Sequence, residues 1–199
     1  MKTFTRRTFA RLLGASATLA GSSSVWPKFA LGGAKPRVVV LGGGAGGAIA
    51  AGYLARNFKN IHITLIEANR RYTACFFASR YLGGLSPLAD VTHGYETLAA
   101  NNGISVIHAT AIGIDGVKKA VVLSDGARVP YDRLIAAPGI GFKYDLIDDY
   151  DEKTAERFPH AYLADAQISI LKRQLEAMED GGVFAISSPP RPYRCPPAP

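Results

Sequence analysis

Runs of apolar, β-branched residues alternate along the chain with glycine turns and helical patterns. Residues 37–41 read Arg-Val-Val-Val-Leu, which predicts a strand buried on both faces of a parallel sheet. Glycines at 42–47 interrupt this run, and residues 45–57 are small or favour a helix. A second apolar run at 61–66 ends in Glu67. This order predicts two parallel strands joined by a glycine turn and a helix.

Further strands are expected downstream of this unit. Residues 104–107 predict a short strand, and residues 119–123 and 128–131 flank Ser-Asp-Gly as the two arms of a β-hairpin. The apolar run at 134–137 predicts one more buried strand, which stops at a proline and a glycine. The chain is therefore expected to be an α/β protein with a mainly parallel sheet and an inserted hairpin.

The last part of the chain predicts the beginning of a second domain. Residues 164–179 carry apolar side chains on one helical face, and a glycine pair follows where a helix should end. The apolar run at 183–186 would then open a second sheet. A proline-rich segment at 189–197 comes directly after this run, so we expect the second α/β domain, over 141–199, to be incomplete.

The positive charge of the chain is concentrated at its beginning. The formal net charge is +7, but residues 1–34 hold no acidic residue and five basic ones: Lys2, Arg6, Arg7, Arg11 and Lys28. The remaining sequence is nearly balanced in charge. No basic stripe is left to neutralise phosphates, so the composition argues against nucleic acid as a partner.

Residues 1–34 have the pattern of a targeting segment rather than of a folded domain. Arg6-Arg7 precedes the weakly apolar run 12–20, and small residues near Ala34 offer a cleavage site. This pattern resembles a twin-arginine export signal and implies a periplasmic location. The run is shorter than the roughly 20 apolar residues of a membrane span, so no transmembrane anchor is expected. A disordered basic tail is the alternative.

Gly42, Gly44 and Gly47 satisfy the spacing G-x-G-x-x-G between the first strand and the helix. The first glycine permits a tight turn, the second lets the backbone approach a pyrophosphate, and the third lets the helix pack closely on the sheet. Glu67, which ends the second strand, stands where a ribose hydroxyl needs a carboxylate acceptor. We therefore predict a dinucleotide site, and an ordinary glycine loop is the alternative.

Residues 131–139, Tyr-Asp-Arg-Leu-Ile-Ala-Ala-Pro-Gly, resemble the second flavin fingerprint of glutathione-reductase-like enzymes. Pro138 replaces the threonine that is usual in that fingerprint. The resemblance implies a Rossmann-like FAD-binding domain over 35–140 with a β-hairpin insertion. It also implies that Ala137 and Gly139 flank the flavin nucleotide. A plain turn at this position is the alternative.

A narrower resemblance follows from the segments 69–75, 83–84, 92–95 and 194–197. Their sequences, Asn-Arg-Arg-Tyr-Thr-Ala-Cys, Gly-Gly, Thr-His-Gly-Tyr and Arg-Cys-Pro-Pro, are similar to the flavoprotein subunit of flavocytochrome c sulfide dehydrogenase. This resemblance covers about the first half of such a subunit. It implies an FAD-dependent oxidoreductase that oxidises sulfide and passes electrons to a cytochrome c subunit.

The two cysteines are assigned separate roles by the same resemblance. Cys75 would carry a thioether bond to the 8-methyl group of the flavin, and Cys195 would be half of a redox disulfide that sulfide attacks. Arg194 beside Cys195 favours the thiolate, which supports redox or nucleophilic chemistry there. A buried, inert Cys75 and a structural disulfide between Cys75 and Cys195 are the alternatives.

Neither NAD nor a metal is expected as a cofactor. Residues 187–190, Ser-Ser-Pro-Pro, follow the apolar run at 183–186 where an NAD-binding relative would have a second glycine fingerprint. Prolines offer no N–H group to a pyrophosphate, so a cytochrome is the expected electron acceptor. The histidines show no metal-binding spacing with either cysteine. A sulfide:quinone reductase, a non-catalytic FAD-binding electron-transfer module and a truncated gene product are the competing hypotheses.

Overall fold

The computed structural model describes residues 35–160, 162 and 166–187. Its strands are β1 (Arg37–Leu41), β2 (His62–Ile66), β3 (Arg71–Thr73), β4 (Thr92–Gly94), β5 (Ser105–Ile107), β6 (Ala111–Asp115), β7 (Ala120–Leu123), β8 (Arg128–Pro130) and β9 (Arg133–Ala136). Its α-helices are α1 (Ala45–Asn57), α2 (Ala78–Leu82), α3 (Glu96–Asn102), α4 (Glu152–Arg157) and α5 (Ala166–Glu176). Short 3-10 helices lie at Cys75–Phe77, Leu88–Val91 and Tyr144–Leu146.

The predicted parallel sheet is present, with the strand order β5-β2-β1-β9. β1 pairs with β2 on one side and with β9 on the other, and every pairing in this sheet is parallel. Val39 and Val40, in the middle of β1, are at most 1% exposed. The continuous apolar run is therefore explained by burial on both faces of the sheet, as the sequence predicts.

Two apolar clusters cover the two faces of this sheet. Because successive side chains of a strand point to opposite faces, Val38 and Val40 pack with Ala51 and Ala55 of α1. Val39 packs on the other face, with Val121 of β7. The sheet is thus covered by the helix of the strand–turn–helix–strand unit on one face and by a small antiparallel sheet on the other.

The small antiparallel sheet has the order β6-β7-β8. β7 and β8 are the two arms of the predicted hairpin, and Gly126 in its turn has the positive φ of 87° that such a turn requires. β6 is a third strand that the sequence analysis did not predict. It pairs with β7 through an irregular register between Ala111 and Gly113.

An exposed ion pair joins the beginning of β1 to the loop before β9. The backbone N–H and the guanidinium of Arg37 donate to the Asp132 carboxylate at 2.7–3.2 Å. These hydrogen bonds lower the pKa of Asp132 to about 2. This pair holds the amino ends of the parallel strands β1 and β9 together, at the opposite end of the two strands from the glycine turn.

The predicted helix at 164–179 is observed as α5, over Ala166–Glu176. Ile168 on its apolar face is fully buried, and Lys172 lies 5.3 Å from the ring centre of Tyr81 in α2. The prediction of a strand at 183–186 is wrong: within the described residues this segment forms no strand, and its side chains are exposed. A strand requires a partner for its backbone groups, and no described strand lies beside it.

Among the described residues, no helix is long and apolar enough to cross a membrane.

Candidate functional site

Two close backbone contacts define the glycine turn between β1 and α1. A Cβ atom at Gly42, whose φ is 97°, would stand 2.0 Å from the carbonyl oxygen of Ala137. A Cβ atom at Gly47 would stand 1.8 Å from the carbonyl oxygen of Gly42. Both distances are far below van der Waals contact, so only glycine permits this turn to lie against the end of β9 and the beginning of α1.

The beginning of α1 has the properties of an anion-binding site. Gly44 is the N-cap residue, and neither a side-chain cap nor an acidic residue occupies the first turn. Within the described residues the N–H of Gly44 has no hydrogen-bond partner. The first N–H groups of a helix carry a partial positive charge. A diphosphate fits this position, because glycine leaves the backbone accessible and the helix offers donors without a competing carboxylate.

Glu67 is held beside the turn by backbone hydrogen bonds. Its Oε2 atom accepts from the N–H of Gly43 at 2.6 Å, and its Oε1 atom accepts from the N–H of Asn69 at 2.8 Å. Its own N–H donates to the carbonyl of Ile107 at 3.0 Å. A carboxylate has about four acceptor positions, so acceptor capacity remains for the hydroxyl groups of a ribose.

Tyr95 is a part of the site that the sequence analysis did not assign. Its side chain is only 5% exposed, and its hydroxyl donates to the carbonyl of Gly43 at 3.0 Å. Burial, then the charge of Glu67 and then Tyr72, raise the pKa of Tyr95 to about 12. The phenol therefore stays a neutral donor over the whole physiological pH range. In the sequence, Tyr95 belongs to the segment 92–95, which resembles the sulfide dehydrogenase flavoprotein subunit, but that resemblance assigned no role to the tyrosine.

The segment that carries Cys75 is linked to the same turn by Tyr72. The Tyr72 ring lies 3.6 Å from the position that a Cβ atom of Gly44 would take. Burial and then the neighbouring Cys75 raise the pKa of Tyr72, while an interaction with the N–H of Ala45 lowers it. Cys75 is a half-buried free thiol at the beginning of the 3-10 helix Cys75–Phe77. Tyr72, three residues before this thiol, is thus the described residue that links the segment of Cys75 to the beginning of α1.

The loop that carries Cys75 is anchored by the two-stranded sheet β3-β4. The N–H of Ala74 donates to the carbonyl of Val91 at 2.8 Å, and the hydroxyls of Thr73 and Thr92 lie 3.0 Å apart. The sequence analysis predicted neither of these strands. Their pairing fixes the backbone on the N-terminal side of Cys75, so the thiol does not sit on an unsupported loop.

Ala137 and Gly139 follow β9 at the same edge of the parallel sheet. The N–H of Ala137 donates to the carbonyl of Leu41 at 2.8 Å, which continues the pairing of β9 with β1 up to the glycine turn. Gly139 has a φ of 80°, and no atom lies within 4 Å of where its Cβ would stand. The positive φ at Gly139 is therefore one that favours glycine, and the space around its Cα is open.

The structure brings together Gly42, Gly44, Gly47, Glu67 and Ala137. Gly139 follows Ala137 by two residues, and Cys75 is linked to the turn only through Tyr72. Cys195 and residues 1–34 lie outside the described residues, so the roles predicted for them stay predictions. In the part of the chain that the structure describes, no group of His, Cys, Asp and Glu side chains could hold a metal ion.

Two family models match the chain. Residues 36–175 match the model of the pyridine nucleotide-disulphide oxidoreductases. Residues 168–199 match the model of the central part of the sulfide dehydrogenase (flavocytochrome c) flavoprotein chain. The second match includes the Arg-Cys-Pro-Pro segment, and it agrees with the resemblance drawn from the sequence.

Solved structures with the same fold include a sulfide:quinone oxidoreductase and a chain of a putidaredoxin reductase complex. The sulfide:quinone oxidoreductase of the hyperthermophilic bacterium Aquifex aeolicus superposes with a TM-score of 0.59 at 22% identity, covering 71% of this chain and 32% of that one. A chain of the covalent putidaredoxin reductase–putidaredoxin complex gives 0.55 at 21% identity, covering 72% and 35%. The chain therefore spans about a third of the length of these proteins, and the likeness is one of fold.

Proposed function

The chain belongs to the pyridine nucleotide-disulphide oxidoreductase family, and we propose that it binds FAD at the glycine turn. The family implies a flavin cofactor. We propose further that the whole protein is a sulfide dehydrogenase. Its electrons would pass to a cytochrome c. The observation that carries the FAD assignment is the uncapped beginning of α1 next to the fixed carboxylate of Glu67. The match of residues 168–199 to the sulfide dehydrogenase flavoprotein chain supports the choice of substrate and acceptor.

The residues of the site would contact different parts of the cofactor. Gly42 and Gly47 give the turn its close packing, and Gly44 exposes its N–H to the diphosphate. Glu67 accepts from the ribose hydroxyls. Ala137 and Gly139 line the nucleotide where the chain leaves β9. A bound flavin supplies a group that takes two electrons at once and can release them singly to a cytochrome.

Cys75 is proposed to hold the flavin covalently through a thioether to its 8-methyl group. Forming this bond would remove one hydrogen from the thiol and one from the methyl group. The two electrons would reduce the flavin, and the two protons would pass to the reduced flavin or to solvent. The proposal is supported by Tyr72, whose ring lies beside Gly44 and whose pKa is raised by burial and by the neighbouring Cys75. A covalent bond would retain the cofactor after export, where free FAD is scarce.

We also propose a redox role for Cys195 and an export role for residues 1–34. The Arg-Cys-Pro-Pro segment lies within the match to the sulfide dehydrogenase flavoprotein chain, which supports a redox-active Cys195. Sulfide would attack a disulfide between Cys195 and a cysteine from the second half of such a subunit, as the resemblance implies. One cysteine would become a persulfide, and the other would leave as a thiolate that passes the electron pair to the flavin. The paired arginines Arg6 and Arg7 support export to the periplasm by the twin-arginine route.

The experiment measures electron transfer by the purified, flavin-loaded whole protein. Sulfide is added with either oxidised cytochrome c or a short-chain quinone, and reduction of each acceptor is followed by absorbance. We expect cytochrome c to be reduced and the quinone not to be. Faster reduction of the quinone would favour a sulfide:quinone reductase. Flavin binding without reduction of either acceptor would favour a non-catalytic FAD-binding protein.

A further inference from the structure

The peptide groups on either side of Gly43 are held by two different side chains. Glu67 accepts from the Gly43 N–H at 2.6 Å, and the Tyr95 hydroxyl donates to the Gly43 carbonyl at 3.0 Å. Both partners come from elements far away in the sequence, since Glu67 follows β2 and Tyr95 precedes α3. The orientation of this part of the turn is therefore imposed by tertiary contacts rather than by local sequence.

The contact with Tyr95 sets the direction of the next N–H group. The carbonyl of Gly43 and the N–H of Gly44 belong to one planar, trans peptide unit, so they point in opposite directions. Tyr95 is buried and draws the carbonyl toward the apolar core. The N–H of Gly44 must then point away from the core. It has no hydrogen-bond partner among the described residues.

Tyr95 packs directly against Gly43. A Cβ atom at Gly43 would stand 2.6 Å from the Tyr95 hydroxyl and 2.7 Å from its ring. The glycine at position 43, which the G-x-G-x-x-G spacing leaves unspecified, is thus required by the tyrosine. Tyr95 also remains protonated, because burial raises its pKa to about 12, so its donor role does not depend on pH in the physiological range.

We propose that Tyr95 is a positioning residue for the cofactor: through the Gly43 carbonyl, its hydroxyl aims the N–H of Gly44 at the diphosphate of FAD. This inference rests on the proposed binding of FAD at the turn. Tyr95 itself touches no part of the cofactor in this account. Its removal should weaken the one hydrogen bond that Gly44 donates and leave the remaining contacts of the turn in place.

The test compares Tyr95→Phe with Tyr150→Phe. The Tyr150 hydroxyl also donates to a backbone carbonyl, that of Phe158 at 2.7 Å, but it lies outside the predicted FAD-binding domain. Both substitutions are made in a Cys75→Ser background so that binding is reversible. Affinity is measured by the change in fluorescence of added FAD. We expect Tyr95→Phe to bind FAD about tenfold more weakly, as for one hydrogen bond to a charged group, and Tyr150→Phe to bind as the background does.

A spectroscopic readout separates positioning from simple loss of stability. In the ¹⁵N-labelled background protein, the Gly44 amide proton should shift downfield when FAD binds, and this shift should shrink in Tyr95→Phe. Unchanged affinity, or weaker binding with a full Gly44 shift, would overturn the role of Tyr95 while leaving the FAD site intact. Absence of FAD binding in both the unmodified and the background protein would overturn the proposed function and this inference together.

Discussion

The carboxylate of Glu67 and the backbone N–H of Gly43 lie 2.6 Å apart, which ties the end of β2 to the glycine turn that follows β1. The same carboxylate accepts from the N–H of Asn69 at 2.8 Å. One acidic side chain thus fixes two loops at the carboxyl edge of the parallel sheet, where α/β proteins bind their ligands. Structural support and ribose recognition therefore depend on the same residue.

Replacing Glu67 by alanine tests this double role. The Gly43 N–H would lose its acceptor inside the protein, which should lower the free energy of unfolding by about 1–3 kcal/mol. Affinity for FAD should fall as well, because the ribose hydroxyls lose their acceptor. Urea denaturation and FAD titration measure the two effects. A variant of normal stability that also binds FAD normally would show that the hydrogen bond is incidental.

The close approach of α1 to the turn is tested by Gly47→Ala. A Cβ atom at Gly47 would meet the Gly42 carbonyl at 1.8 Å, so the helix must move away from the turn. We expect a loss of about 1–3 kcal/mol in stability from overpacking, together with loss of FAD binding. Gly116→Ala is the matched control, since no atom lies within 4 Å of its Cβ position. Equal behaviour of the two variants would contradict the packing argument.

The pair Arg37–Asp132 predicts how stability depends on pH. The hydrogen bonds from Arg37 lower the pKa of Asp132 to about 2, below the unfolded value of about 3.9. The unfolded chain therefore binds the proton more tightly, so the contribution of the pair is complete above about pH 4 and is lost toward pH 2. Because the Asp132 side chain is 42% exposed, solvent screens the pair and the effect should be modest.

Denaturation in urea between pH 7 and pH 2 measures this contribution. Asp132→Asn should be less stable than the unmodified protein at pH 7, and the two should converge toward pH 2. Asp148→Asn serves as the control, because the Asp148 carboxylate makes no hydrogen bond to another described residue. A constant difference between Asp132→Asn and the unmodified protein over the whole range would mean that the ion pair does not titrate as described.

The thioether at Cys75 is tested by mass spectrometry of the flavin-loaded whole protein. Trypsin releases the peptide Tyr72–Arg80, which contains Cys75 and no internal basic residue. We expect this peptide to carry the mass of FAD or of its flavin part. Protein with Cys75→Ser should still bind FAD but release it on acid precipitation. An unmodified Tyr72–Arg80 peptide from fully loaded protein would rule out the covalent bond.

The sequence predicted the elements whose signal is local. β1 and α1 were predicted with their observed bounds, since a continuous apolar run and a run of small residues report burial and helix directly. The Rossmann-like FAD-binding fold was predicted correctly, and the family match and the solved structures support it. The elements that were missed depend on distant partners. β3 and β4 have three residues each, and they are strands only because they pair with one another.

Side-chain periodicity also failed where apolar residues face solvent. In β6, Ile112 and Ile114 are 66% and 50% exposed, so the alternation gives no sign of the inward face. Val183 is 93% exposed in a segment that the pattern assigned to the first strand of a second sheet. Tyr95 was overlooked for a different reason. Its role comes from a contact with Gly43, 52 residues away in the chain, and no local pattern records that contact.

The central claim is that the glycine turn binds one FAD. The most direct measurement adds FAD to the purified whole protein, removes unbound FAD by gel filtration and records the visible absorption of the protein fraction. The account predicts one flavin per chain in the unmodified protein and almost none in Gly47→Ala. A colourless protein fraction after incubation with FAD, or equal flavin content in the two proteins, would contradict it.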